Sequence, residues 1–284
     1  MGGGLVCYNK KTKINIKQPK KSIFKRLWFL LIILFLIIIS TAIYFIIFYS
    51  GFQLKNISVS GNNKIQTQDL QNIISNNANI QLINFAGIKI VSRSIFLIDK
   101  NKITDDILKN YPIIEKLTLN IKFPQSIFLN IIERAPIGVF CYIDNNCFLI
   151  DQNGIIFEPV VLPVSDATIV RQVENNNQLS IGQKAVEQNI TSAIYKIQKN
   201  LKDNFNINLT EAMVTSPTRL DIFTSGNWKA YFNLNTDSDV NSQLEKLAAL
   251  LNGGISVDSL KNLKYIDLRP KDRAIICDND ICGK

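Results

Sequence analysis

The sequence predicts an α+β protein with a single N-terminal transmembrane helix, a β-α-α-β-β module, and then a strand-rich domain with two helices. Three observations predict it. An uncharged apolar run occupies residues 27–50, and helical and alternating apolar patterns succeed one another over residues 54–134. From Ala135 onward, short alternating runs are separated by Asn- and Gly-containing turns. The predicted boundaries are a basic tail at 1–26, the membrane helix at 27–50, a first outer domain at 52–134, a second at 135–276 and a C-terminal tail at 277–284.

The formal net charge is +9. Lys10, Lys11, Lys13, Lys17, Lys20, Lys21, Lys25 and Arg26 supply eight of those charges, and no acidic residue precedes Leu27. What remains is close to neutral, so the basic balance belongs to the tail and no nucleic-acid footprint is expected. No charged residue lies between Leu27 and Leu54. Leu27 to Tyr49 as a helix would span about 35 Å, enough to cross a bilayer. Trp28 at one end and Tyr44, Phe48 and Tyr49 near the other are placed as interfacial aromatics are. The apolar run continues for seven residues past Ala42, which favours an uncleaved anchor over a signal peptide cut at Ser40-Thr41-Ala42. Cations on one side only orient the N-terminus to the cytoplasm and the chain from about residue 52 to the extracytoplasmic side of the plasma (inner) membrane.

Beyond the membrane, residues 54–60 alternate and stop at Gly61-Asn62-Asn63, a strand and a turn. Residues 67–77 predict a short helix with Thr67 as its N-cap and Leu70, Ile73 and Ile74 as its apolar stripe. Residues 76–96 show no clear period. A second helix follows over 99–112, with Ile103, Ile107 and Leu108 on one face and Pro112 ending it. Leu117, Leu119, Ile121 and Phe123 alternate with polar residues, as do Ile127, Leu129 and Ile131 after a turn at Pro124-Gln125; both read as one-sided strands.

In the second domain, turns are predicted at Asp144-Asn145-Asn146 and Asn153-Gly154. Helices are predicted at 183–203 (Val186, Ile190, Ile194, Ile197, Leu201) and at 239–251, with Gly253 as the stop of the latter, and strands at 218–223 and 228–234. The stretch LKYIDLRPKDRAIICDNDICGK closes the chain. Residues 263–269 alternate as a strand, ended or bulged by Pro270, which lacks an N–H, and a second apolar run follows at 274–277; the pattern alone fits either a strand inside a sheet or one at its edge.

Of five cysteines, Cys141, Cys147, Cys277 and Cys282 fall on the outer side, where disulfides persist, and Cys7 on the cytoplasmic side. Cys141 with Cys147, across a hairpin turn, and Cys277 with Cys282 are the candidate bridges. The chain has no histidine, which removes Ser-His and Cys-His dyads and imidazole metal ligands. No phosphate-cradling glycine motif occurs. Asp99, Asp105 and Asp106 sit around a helix start, where carboxylates favour the dipole. No catalytic residue, metal, cofactor or small-molecule substrate is therefore expected, and the protein is not expected to be an enzyme.

The order of features resembles the FtsQ/DivIB family of bacterial cell-division proteins. ISVSGNNKIQTQDL is similar to the family's opening of a POTRA domain. Glu133-Arg134-Ala135-Pro136 fits its E-R-x-P motif. Asp151, Gly154 and Phe157 fit D-x-x-G-x-x-F, and Tyr265, Asp267, Leu268 and Arg269 fit Y-[IV]-D-L-R. The resemblance runs from about residue 25 to 275, and it implies a non-enzymatic scaffold of the divisome. Its POTRA domain would recruit other divisome components. Its β domain would bind FtsB- and FtsL-like bitopic proteins through a sheet edge, by strand addition, with residues 263–269 inside the sheet and Ala274 to Cys277 as the partner-facing edge. Carried onto this chain, the expected contact residues are Tyr265, Asp267, Leu268, Arg269, Lys271, Arg273, Ala274, Ile275 and Ile276. A POTRA-containing chaperone or transport component of the envelope is the alternative. The stretch 76–96 is longer than the family's usual inter-helix loop, and Pro270 stands where an aromatic residue is common.

Overall fold

The computed structural model describes residues 2–3, 23–85, 87–143, 146–173, 179–235, 237–255 and 262–278. Lys10 to Lys21 of the basic tail, Cys7, the turn residues Asp144 and Asn145, and Cys282 lie outside them. The chain is α+β, with five α-helices among the described residues.

Helix α1 spans Ile23–Phe48, and a 3-10 turn follows at Ser50–Phe52. Its stretch Leu27–Phe48 is long and apolar enough to cross a membrane, and none of it is buried against the rest of the protein. A helix apolar on all sides and exposed along its length is one that water does not solvate well.

The first unit after α1 contains β1 (Asn56–Ser60), α2 (Thr67–Ala78), β2 (Ile80–Phe85), β3 (Ile88–Ser92), α3 (Lys100–Asn110), β4 (Ile114–Lys122) and β5 (Ser126–Glu133). A three-stranded sheet runs β1-β5-β4, with β1 parallel to β5 and β5 antiparallel to β4. Helices α2 and α3 cover it. Leu70 and Ile74 of α2, Ile103 and Ile107 of α3, and Ile127 and Leu129 of β5 share one buried cluster. Asp99 caps α3 by accepting from the backbone N–H groups of Asn101 and Lys102 at 3.0 and 3.2 Å.

Three expectations are corrected here. Thr67 is the first helical residue of α2 rather than its cap. Its hydroxyl instead accepts from Asn62 Nδ2 at 2.9 Å, and Gln66 precedes the helix with no side-chain cap. Phe123 does not join the buried face of β4, because the strand ends at Lys122 and Phe123 begins the hairpin tip, 64% exposed. The patternless 76–96 stretch forms the antiparallel hairpin β2–β3, which pairs only within itself among the described strands.

The second unit is built on a nine-stranded sheet: β6 (Pro136–Ile143), β7 (Asn146–Asp151), β8 (Ile156–Val160), β9 (Ile169–Gln172), β10 (Leu209–Ser216), β11 (Arg219–Thr224), β12 (Lys229–Asn233), β13 (Leu263–Asp267) and β14 (Ile275–Asp278). The strand order is β14-β13-β12-β11-β10-β9-β6-β7-β8. Helices α4 (Gln188–Phe205) and α5 (Val240–Ala249) bury one face of it. Ile190, Ile194, Ile197 and Leu201 of α4 pack with Val170, Ala212, Ile222, Phe232 and Ile266 of the sheet. Each such isoleucine or leucine contributes about 1.5–3 kcal/mol over an exposed one.

Helix α4 starts five residues later than the sequence predicts. Residues 180–187 are held instead against the turn after β7: Gly182 N–H donates to Ile156 O at 2.7 Å and Ala185 N–H to Gly154 O at 2.8 Å. Gly154 has φ +82°, and a Cβ there would collide with the Val186 carbonyl. Helix α5 ends at Ala249 and runs into a π-turn at Leu250–Gly254, broken by Gly253 at φ +145°.

The two units meet at Arg134. Its Nε donates to Pro112 O at 2.9 Å and its Nη1 to Asp151 Oδ2 at 2.6 Å, and Asp151 is buried. The other Asp151 oxygen accepts from the N–H groups of Asn153 and Ile155, and Glu133 accepts from Lys64 N–H. Arg134 of E-R-x-P and Asp151 of D-x-x-G-x-x-F thus join the two units.

Candidate protein-binding edge

β13 lies inside the sheet, parallel to β12 and antiparallel to β14. β14 is terminal in the strand order, so its outer side meets no other described strand. It is four residues long, and Ile275 is 45% exposed. Strand addition takes place on the terminal strand of a sheet, and an exposed apolar residue there gives an added strand a side chain to pack on.

Alternation places the side chains. Leu220, Ala230, Phe232, Ile266 and Leu268 point into the helix-covered core. Arg219, Asp221, Tyr231, Tyr265 and Asp267 stand on the opposite face, where register sets Asp221 beside Tyr231, Tyr231 beside Asp267, and Asp267 beside Ile275. Arg219 Nε and Nη2 donate to the two oxygens of Asp221 at 2.8 and 2.9 Å. Arg269 Nε and Nη2 do the same to Asp267 at 2.8 and 2.6 Å, and the Arg269 backbone N–H adds a third bond at 3.0 Å. Both guanidinium groups lie over the Tyr231 ring, at 5.2 and 5.5 Å from its centre, and Tyr265 packs beside it at 5.2 Å.

Burial alone would raise the Asp267 carboxyl, but the hydrogen bonds from Arg269 and the charges of Arg269 and Arg219 hold it below its ordinary value. The hydrogen bonds to Asp221 and Asp267 raise Arg219 and Arg269, respectively. Burial, and then the Asp221 charge, push the Tyr231 hydroxyl up. At neutral pH the face therefore holds two closed ion pairs around a neutral tyrosine. Among the described residues no three His, Cys, Asp or Glu side chains converge on a metal position. Tyrosine and arginine on a fixed frame suit protein recognition.

The turn between β13 and β14 is held from below. Lys246 of α5 extends its ammonium to the carbonyls of Leu268 and Pro270 at 3.0 and 2.6 Å. Lys271 and Arg273 are exposed in that turn, while Ala274 and Ile276 pack partly against the core. The Leu268 side chain is fully buried, so it supports the edge from the core side and offers nothing to a surface. Cys277 is disulfide-bonded; its candidate partner, Cys282, lies outside the described residues. Cys141 and Cys147 face each other across β6 and β7 and are bonded.

Sequence reasoning missed Arg219, Asp221, Tyr231 and Lys246. A signal for the first two exists: Arg219-Leu220-Asp221 reads as the reverse of Asp267-Leu268-Arg269, and in both the charges share one face while the leucine enters the core. The chain matches no protein-family model and no curated protein.

Proposed function

We propose that this chain is a non-enzymatic bitopic cell-division protein of the FtsQ/DivIB type. It scaffolds divisome assembly by accepting a strand from FtsB- or FtsL-like partners along β14. The observation that carries the reading is β14 itself: a four-residue strand ending a nine-stranded sheet, with Ile275 exposed beside the Arg–Tyr face. A strand added there gains main-chain hydrogen bonds, and its alternate side chains select for fit against Ile275 on one side of the sheet.

The order β1, α2, α3, β4, β5, interrupted by the β2–β3 hairpin, supports a POTRA domain as the recruiting module. In this reading α1 anchors the protein in the plasma membrane with the N-terminus in the cytoplasm.

Co-purification of the full chain with the organism's FtsB- and FtsL-like proteins tests it. Ile275→Asp and Tyr265→Asp are expected to lower recovery at least about tenfold, the equivalent of ~1.4 kcal/mol. Unchanged recovery with both variants refutes the edge assignment.

A further inference from the structure

Three side chains of the first unit close on the end of α1. Ser92 Oγ donates to Ile47 O at 2.7 Å, Ser94 Oγ to Ile46 O at 2.8 Å, and Gln53 Nε2 to Ile47 O at 2.8 Å. These carbonyls belong to the last turn of the helix, where no helical N–H remains to reach them. At membrane depth an unmet carbonyl is costly, so a built cap has a purpose there. Ser92 and Ser94 are buried, and Gln53 also pairs with the strand-like segment at Ser94, so the cap is part of the frame.

A row of aromatic rings leaves from the same place. Phe45, Tyr49, Phe52, Phe96 and Phe123 follow one another at centroid distances between 4.3 and 5.5 Å. It begins inside the apolar helix and ends on the hairpin tip between β4 and β5. Its outer members are uncovered, Phe123 most of all, and Ile83 and Val91 of the β2–β3 hairpin are exposed as well. Cations flank this surface: Lys55, Arg93 and Lys122 line one open groove together with Phe123 and Phe128. No acidic residue occurs from Leu70 to Ile98.

We propose that the β2–β3 hairpin and the β4–β5 tip rest in the interfacial layer of the bilayer that α1 crosses, with Ile83, Val91, Phe96 and Phe123 inserted and Lys55, Arg93 and Lys122 on anionic headgroups. Continuity names the occupant as lipid. The ring row starts within the span, and the serine cap fixes the unit at the height where the interfacial layer lies, a zone about 5–8 Å thick on each side. Exposed aromatics flanked by basic residues are what that layer takes up. The first unit then stands on the membrane, which restricts the directions in which the β14 edge is presented. The inference rests on α1 spanning a bilayer and is independent of the partner reading.

The test uses the full chain reconstituted in vesicles of mixed phosphatidylcholine and phosphatidylglycerol, with and without brominated acyl chains. Native Trp28 reports on α1. Phe123→Trp and, separately, Ile83→Trp in a Trp28→Phe background report on the surface, and Tyr195→Trp on exposed α4 is the control; buried Trp228 is common to all. Brominated chains are expected to quench the Phe123→Trp and Ile83→Trp probes by roughly a third or more, as insertion to about 5–10 Å requires, and to leave Tyr195→Trp unchanged. Quenching of Trp28 with neither surface probe affected overturns this proposal while leaving the anchor intact. Absence of quenching at Trp28 overturns the anchor and the proposal together. Equal quenching of Tyr195→Trp overturns the assignment of this surface.

Discussion

Replacing Asp267 with asparagine keeps the side-chain shape and removes its charge. The carboxylate now accepts three hydrogen bonds from Arg269, at 3.0, 2.8 and 2.6 Å. One hydrogen bond to a charged group contributes ~1.5–3 kcal/mol net. All three come from one residue, and the Arg269 side chain is 37% exposed against 12% for Asp267. Water therefore replaces part of what is lost, and the expected cost is about 2 kcal/mol. Urea unfolding of the full chain in detergent, followed by buried Trp228 in a Trp28→Phe background, reads the strand-rich unit. With a slope of about 2 kcal/mol per molar urea, the midpoint falls by about 1 M.

The pH dependence supplies a second reading of the same variant. Asp267 titrates below its ordinary value of 3.8 when folded. Its contribution is therefore complete above the unfolded value and is lost as pH falls through the lower folded one. The gap between wild type and Asp267→Asn should be full at about pH 7 and narrower at about pH 3. A midpoint shift under about 0.2 M, or a gap of the same size at both pH values, refutes the view that this carboxylate holds the end of β13.

Gly154→Ala should destabilise by about 3 kcal/mol or more in thermal unfolding, since both its positive φ and the Val186 carbonyl exclude a Cβ; Gly87→Ala, at a similar φ of +83° but with open space around it, should cost the backbone strain alone, about 1–2 kcal/mol. Removing the Cys141–Cys147 bridge, which closes a loop of sequence separation 6, should lower stability by about 2 kcal/mol in the Cys141→Ala, Cys147→Ala double variant, and an unchanged midpoint would count against a stabilising role. Lys246→Met should release the carbonyls of Leu268 and Pro270 and speed amide exchange in residues 268–274 by about tenfold while α5 stays protected; uniform acceleration would instead mean loss of the α5 packing.

Elements with a strong one-sided period were legible in the sequence. The Leu117–Leu119–Ile121 alternation and the Ile190–Ile194–Ile197–Leu201 spacing each name the face that the structure buries. The Cys141–Cys147 hairpin was legible from its turn residues. β9 and β10 were not, because IVRQ and LTEAMVTS carry mixed polarity and are set by neighbours distant in sequence: Val139 and Phe140 of β6 for β9, and Ile169 to Gln172 of β9 for β10. The β2–β3 hairpin was hidden for a related reason. It pairs with no other described strand, and Ile83 and Val91 on it are exposed, so burial imposes no strict alternation on it. Helix starts slipped where tertiary hydrogen bonds compete with helix formation, as at Gly182 and Ala185.

The edge was visible as a segment but not as a site. YIDLR suggested Tyr265, Asp267, Leu268 and Arg269 together as contact residues, whereas strand geometry sends Tyr265 and Asp267 to the open face and Leu268 to the core. What surrounds them comes from three other elements: Arg219 and Asp221 on β11, Tyr231 on β12, and Lys246 on α5. Spacing along the chain carries no record of those distances.

The central claim is that β14 accepts a partner's strand. Amide hydrogen exchange of the full chain in detergent, with and without the extracytoplasmic segment of the FtsB-like protein, tests it most directly. The account predicts that exchange at residues 275–278 slows by about tenfold or more on addition of the partner, that residues 156–160 at the opposite edge are unchanged, and that Ile275→Asp abolishes the slowing. Binding that leaves residues 275–278 exchanging as before would contradict it.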